Sequence, residues 1–293
     1  MPRTARSTPR QSANTRSASV PSTRSFVRTN TRATPFLDVP PPNFLLLALE
    51  LRALWEFGAL LPSLPLLGRA PQGDGHTVVV FPGLSAGDVS TLPLRRYLDS
   101  LGYQTQGWGQ GLNLGPRPGV IDAAKAHVVR AYQQSGQPVS LVGWSLGGIY
   151  AREFAKELSR LLPGMVRCVI TLGTPFGAAH TSTNAWRLYE LASGRNIEAE
   201  MRGYDLPCAP PVPTTSIYSR SDGIVAWQGS VQAPGTSTAP SENIEVMASH
   251  FGIGLNPSAW WAVADRLAQS PKQWQLFERR SRLLRSLFPT PEA

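Results

Sequence analysis

Cysteine is scarce. Cys168 and Cys208 are the only two in 293 residues, too few for a disulfide framework, and no Cys-x-x-Cys spacing suggests a metal or redox site. A bridge between the two has nothing in the sequence to support it. The four histidines, His76, His127, His180 and His250, never form His-Glu-x-x-His, and there is no Gly-rich phosphate loop. These absences leave no signature for a metal or a nucleotide, so neither metal nor cofactor is expected. An uninterrupted apolar span is also lacking. Phe44 to Leu67 is long and apolar, but Glu50, Arg52 and Glu56 interrupt it, and Pro62 and Pro65 fall near its end. Three charges make a bilayer span costly. The stretch reads instead as an apolar helix, broken at the prolines, that packs on the body of the protein or lies at a membrane surface. Within it Arg52 and Glu56 form an i,i+4 pair, and Glu50 points elsewhere on the wheel.

Acidic residues are nearly missing from residues 1–43, which hold seven arginines and the single acid Asp38, a balance of +6 in a chain whose net charge is +9. Ser, Thr, Arg and Pro dominate there and cannot bury a core, so residues 1–43 are expected to be a disordered tail. The tail lacks the apolar centre of a secretory signal. Its composition imitates an organelle transit peptide, but a plain flexible tail on a cytoplasmic or membrane-peripheral protein is the preferred reading. Such a tail can touch anionic lipid or RNA. The rest of the chain carries 21 basic and 18 acidic residues. With that near balance and no nucleic-acid motif, nucleic acid is not expected as a partner. Residues 68–293 suffice for one large domain, and no internal repeat is visible. The oligomeric state is not legible.

What the chain does contain is Gly143-Trp144-Ser145-Leu146-Gly147-Gly148. A β-prone run, Pro138 to Val142, precedes it, and a helical pattern from Ile149 to Leu158 follows. Strand, Gly-x-Ser-x-Gly and helix together are the context of a nucleophile elbow, a tight turn that lifts a serine hydroxyl clear at a helix N-terminus. A nucleophilic Ser145 needs a base, and the base needs an orienting carboxylate. His76 opens an apolar strand, His127 lies in a helical pattern, and His180 follows Thr174-Pro175-Phe176-Gly177. His250 stands after a late strand and before Phe251-Gly252, which favours it as the base. Asp222 ends the strand-like run Thr214 to Ser219 on a turn with Gly223, better placed than Asp205, Glu242, Glu245 or Asp265.

At this point the chain resembles the α/β-hydrolase family of serine hydrolases, including bacterial lipases and esterases. The order Ser145, Asp222, His250 is that family's order. Pro82-Gly83-Leu84 after the apolar strand Val78 to Phe81 resembles the family's His-Gly loop, with Pro82 replacing the histidine. The resemblance implies an oxyanion hole made by the backbone N–H groups of Leu84 and Leu146. Ile170 to Gly177 resembles the strand and loop that follow the serine in bacterial triacylglycerol lipases. The similarity extends from about Gly75 to Leu267.

The coarse layout agrees with that fold. Strands are predicted at 77–81, 103–107, 138–142, 167–172, 214–219 and 243–247, with helices near 91–101, 120–135, 148–162, 184–202 and 258–269. Alternation of this kind predicts a mostly parallel α/β sheet with helices on both faces. Leu84, Ser145, Asp222 and His250 then all fall beyond the carboxyl ends of strands, where ligands of such sheets bind. Residues 178–207 read as a helical cap over the acyl pocket or as an ordinary crossover. Trp108, Phe176 and Trp186 are assigned to the pocket wall. The expected activity is hydrolysis of small-molecule or lipid carboxylic esters, with peripheral membrane contact. An acyltransferase on the same scaffold and a non-catalytic lipid-binding module are the alternatives.

Overall fold

The computed structural model describes residues 34–184, 190, 204–278 and 282–289. Six strands form one all-parallel sheet: β1 (Thr77–Phe81), β2 (Gln104–Gly107), β3 (Val139–Trp144), β4 (Val166–Leu172), β5 (Thr214–Tyr218) and β6 (Ser241–Glu245), in the order β2-β1-β3-β4-β5-β6. Around it lie α1 (Phe44–Ala48), α2 (Ala53–Leu67), α3 (Asp88–Ser100), α4 (Val120–Ser135), α5 (Leu146–Leu161), α6 (Pro257–Leu267) and α7 (Arg282–Leu287), with a 3₁₀ turn, Leu49–Arg52, joining α1 to α2.

The period-two side-chain rule divides the core into two layers. Val78, Val80, Val142, Ile170, Leu172 and Ile217 pack with Leu94, Leu98, Trp260 and Val263 of α3 and α6. Val79, Phe81, Leu141 and Val169 point the other way, onto Val128 of α4 and Phe154 of α5. Parallel strands buried on both faces read as continuous apolar runs, which is why Val78 to Phe81 shows no alternation.

The strand order reverses direction between β1 and β3. From β1 the chain moves outward to β2, then returns past β1 and proceeds through β3, β4, β5 and β6. Such a switch point opens a crevice at the carboxyl ends of the strands. The register levels those ends: Phe81 lies opposite Gly143, Trp144 opposite Leu172, Leu172 opposite Ile217, and Tyr218 opposite Glu245.

Several expectations need correction. The last strand runs Ser241–Glu245 rather than 243–247. It is an edge strand whose ladder ends at Tyr218–Glu245, so Val246 and Met247 belong to the loop beyond. Pro62 and Pro65 do not end the apolar helix, which continues to Leu67. The carbonyls that lose their intrahelical donor belong to Gly58 and Leu61, both solvent-exposed, so water can satisfy them. Residues 34–43, expected in the disordered tail, run along the body. Leu37 pairs with Ala178, Ser182 Oγ donates to the Val39 carbonyl at 2.6 Å, and Asn43 caps α1 by accepting from Leu46 N–H at 2.9 Å. Residues 1–33 and most of the predicted cap, including Trp186, lie outside the described residues. No described helix is long and apolar enough to cross a membrane.

Candidate active site

Ser145 occupies the turn between β3 and α5 with φ 52° and ψ −122°. A side chain in that region is strained, and the surrounding structure must over-determine it. Two close approaches do so. A Cβ on Gly143 would strike the Gly147 backbone, and one on Gly147 would strike the Phe81 and Pro82 carbonyls. Glycine at both positions lets α5 start directly over β1 and β3. Ser145 N–H donates to the Leu172 carbonyl at 2.8 Å, which ties the turn to the end of β4.

Ser145, His250 and Asp222 form one hydrogen-bonded row. Ser145 Oγ lies 3.0 Å from His250 Nε2, and His250 Nδ1 lies 2.7 Å from Asp222 Oδ2. The other oxygen of Asp222 accepts the Ile224 and Val225 N–H groups, each at 2.8 Å, which orients the carboxylate. Asp222 and His250 are buried, while Ser145 keeps some exposure. Burial pulls the His250 pKa down, but the charge of Asp222, its hydrogen bond and the charge of Glu50 outweigh burial and leave it above the ordinary histidine value.

The loop after β1 lies against this row. A Cβ on Gly83 would sit 3.4 Å from Ser145 Cβ. Leu84 follows in the same loop, and Leu146 is the first residue of α5, so its N–H belongs to the first turn, which has no intrahelical acceptor. Asn113 holds the loop. Its Nδ2 donates to the Pro82 carbonyl at 2.8 Å, its backbone exchanges hydrogen bonds with Ser85 and Ala86, and its Oδ1 accepts from Tyr150 Oη at 3.2 Å. Sequence reasoning missed Asn113. The signal was an asparagine set in the glycine-rich run 107–115, since such a run allows close backbone approach.

Two assigned pocket residues are core residues. Trp108 has no exposed surface; its indole N–H donates to the Gly111 carbonyl and its ring stacks on Tyr150 at 6.3 Å. Phe176 lies buried beneath the Arg152 guanidinium, 3.7 Å from the ring centroid. Burial lowers the Arg152 pKa to about 10. An aromatic side chain after a strand end serves a core or a pocket equally well, and spacing does not separate the two. Of the other histidines, His76 lies between Asp74 and Ser140, His127 against the Gly107 carbonyl, and His180 in a 3₁₀ turn. Among the described residues no three His, Cys, Asp or Glu side chains cluster in a way that could hold a metal ion.

Compared with protein-family models and with curated proteins, the chain matches none. Among solved structures it is similar to Aspergillus fumigatus lipase B, with TM-score 0.52 and 18% identity over 70% of this chain and 54% of that one. The chain thus spans about half the length of that lipase. It is also similar to the thermostable carboxylesterase EstE1 from a metagenomic library, at TM-score 0.49 and 12% identity over 69% of this chain and 80% of that one. A further similarity, to the RedJ thioesterase of Streptomyces coelicolor, has TM-score 0.45 and 19% identity over 69% of this chain and 86% of that one. The lipase likeness and the six-stranded parallel sheet identify the architecture: the chain adopts the α/β-hydrolase fold.

Proposed function

We propose that the protein is a serine hydrolase of carboxylic esters. The observation that carries this reading is the row Ser145–His250–Asp222, with the serine on a strained turn at a helix N-terminus. Ser145 Oγ attacks the ester carbonyl carbon as His250 Nε2 takes its proton. The carbonyl oxygen becomes an oxyanion, which the Leu84 and Leu146 N–H groups stabilise, an effect of about 3 kcal/mol per donor. Asp222 holds the imidazole in the tautomer with Nε2 free and stabilises the imidazolium. Collapse of the intermediate breaks the bond to the alcohol oxygen, and His250 passes that oxygen the proton. Water then attacks the acyl-enzyme and gives its proton to His250. Release of the carboxylic acid returns that proton to Ser145.

The surface beside the site supports apolar esters met at a lipid boundary. Leu51, Leu54, Trp55 and Leu61 of the 44–67 segment are 72–83% exposed, and Phe251, next to His250, is half exposed. Seven arginines precede that segment, a charge that suits anionic lipid.

The test is covalent labelling with a fluorophosphonate, together with turnover of p-nitrophenyl butyrate. The wild type should take up the label and hydrolyse the ester, and Ser145→Ala should do neither while melting as the wild type does. Ester turnover that survives Ser145→Ala would overturn the reading.

A further inference from the structure

The segment 44–67 carries its charges inward. Glu50, in the 3₁₀ turn, is buried although it sits among exposed leucines. One of its oxygens accepts the N–H of Gly223 at 2.7 Å and of His250 at 2.9 Å; the other accepts the N–H of Phe251 at 3.1 Å. One carboxylate thus joins the turn that bears Asp222 to the loop that bears His250. Glu56 accepts from Ser249 N–H and from Ser249 Oγ, the latter at 2.8 Å, and pairs with Arg52 Nε at 2.8 Å. Arg52 Nη2 donates to the carbonyl and the hydroxyl of Ser221, at 2.8 and 2.7 Å. The glycines of the two loops fit the same contact. A Cβ on Gly223 would strike the Leu46 backbone, and one on Gly252 would strike the Glu56 carboxylate.

We propose that Glu50 is a positioning residue for the Asp222–His250 pair, completed by the Arg52–Glu56 pair, so that the N-terminal helical segment acts as an external clamp on the reactive row. The inference rests on the reading of that row as catalytic. Asp222 and His250 lie past Tyr218–Glu245, the last ladder pair of β5 and β6, on loops, and the Asp222 loop is also tied to residues 182–184 through the Thr183–Val225 bridge. Their mutual distance therefore depends on what binds the loop backbones, and displacement of a reacting group by about 1 Å can cost about a hundredfold in rate. Besides loop-to-loop contacts such as that of Ser219 Oγ with the Ser221 and Ala248 N–H groups, Glu50 bonds the backbone of both loops directly.

Position and charge can be separated. Among the described residues, His250 is faced by Asp222 on Nδ1, Ser145 on Nε2, Glu50 on the backbone N–H, the Trp144 indole N–H on its carbonyl, the Phe251 ring edge-on, and the Glu56–Arg52 pair beyond Ser249. Both Asp222 and Glu50 favour imidazolium. Glu50→Gln keeps an oxygen for Gly223 and His250, removes the charge and sets a donor against the Phe251 N–H. Glu50→Ala removes all three bonds.

The experiment measures kcat, KM and the pH profile of kcat/KM for p-nitrophenyl butyrate on the full chain, in the wild type, Glu50→Gln, Glu50→Ala and Ser145→Ala. Glu50→Ala should lose about a hundredfold in kcat with KM nearly unchanged, because Glu50 bonds loop backbone rather than substrate. Glu50→Gln should lose less, and its acid limb should move to lower pH, since a neutral imidazole then persists further into acid. If Glu50→Ala does not fold, Glu50→Gln decides alone. Wild-type kcat and an unshifted acid limb in folded Glu50→Gln, with only the melting temperature lowered, would overturn the proposal and leave Glu50 structural. Turnover that survives Ser145→Ala would instead remove the catalytic reading itself, so the two failures are distinguishable.

Discussion

In α4, Ala124, Val128 and Ala131 face the sheet while Asp122, Arg130, Gln133 and Gln134 face solvent. In the segment 44–67 this arrangement is reversed around the 3₁₀ turn: Glu50 is buried, Arg52 and Glu56 are half-buried, and Leu51, Leu54 and Trp55 are exposed. The first pattern is what apolar burial produces on a helix that covers a sheet. The second arises where a helix meets loop backbone. The N–H groups of Gly223, Ser249, His250 and Phe251 lie outside the sheet ladder and need acceptors, and a buried donor left without one costs about 1–3 kcal/mol. Carboxylates satisfy them where leucines cannot. Sheet packing thus sets the pattern of α4, and the loops that carry Asp222 and His250 set that of the segment 44–67.

His250→Ala should lower kcat/KM for p-nitrophenyl butyrate by about a thousandfold or more without changing the fold. In the wild type, kcat/KM should fall with decreasing pH through a midpoint above the ordinary histidine value, because the raised pKa keeps His250 protonated, and unable to act as base, to a higher pH. A folded His250→Ala that turns over like the wild type would move the base elsewhere, with His180 the first to examine.

Truncation probes the segment side. Removal of residues 1–33 should leave melting temperature and turnover nearly unchanged, whereas removal of residues 1–67 should abolish turnover and lower the melting temperature, since it strips Leu67 from the core and Glu50 and Glu56 from the loops. Identical behaviour of the two truncations would erase the distinction between the regions.

The two kinds of leucine should differ in denaturant unfolding. Leu98→Ala, with no exposed surface in the core, should cost about 2–5 kcal/mol. Leu54→Ala, 73% exposed, should stay within about 0.5 kcal/mol. A large cost at Leu54 would mean that its face is covered in solution.

The smallest effect concerns the acyl chain. Complete burial of a methylene is worth about 0.8 kcal/mol, or about fourfold. With Trp108 and Phe176 in the core, the described residues Leu84 and Leu146, half-buried, and Phe251, exposed, supply apolar surface at the site, so kcat/KM should rise only about twofold per methylene from acetate to butyrate. A steady fall from acetate upward, measured below the micelle threshold, would confine substrates to short acyl chains and remove the lipid-boundary part of the reading.

Much of the site was legible because its constraints are local. The glycines around Ser145 report a turn that tolerates no Cβ. Asp222 beside Gly223 and His250 before Phe251-Gly252 mark loops just past strands. Pairing those residues across 28 and 105 positions rested on chain order and strand count, both of which a single sequence carries. The pocket wall was not legible, since the apolar character of Trp108 and Phe176 states that they avoid water and not which neighbours provide the shelter.

The alternation of strand and helix and the strained serine are written in the sequence, because each follows from backbone sterics or short-range pattern, and the row of three residues follows from their order along the chain. The sequence also showed the Arg52–Glu56 pair, one helical turn apart. What Glu50, Arg52, Glu56 and Asn113 do emerges only in the folded chain. Their partners beyond the Arg52–Glu56 pair are backbone N–H and C=O groups and the hydroxyls of Ser221, Ser249 and Tyr150, up to 201 residues away for Glu50. A peptide group is the same at every position, so the residues that flank it carry no sign of which side chain will meet it.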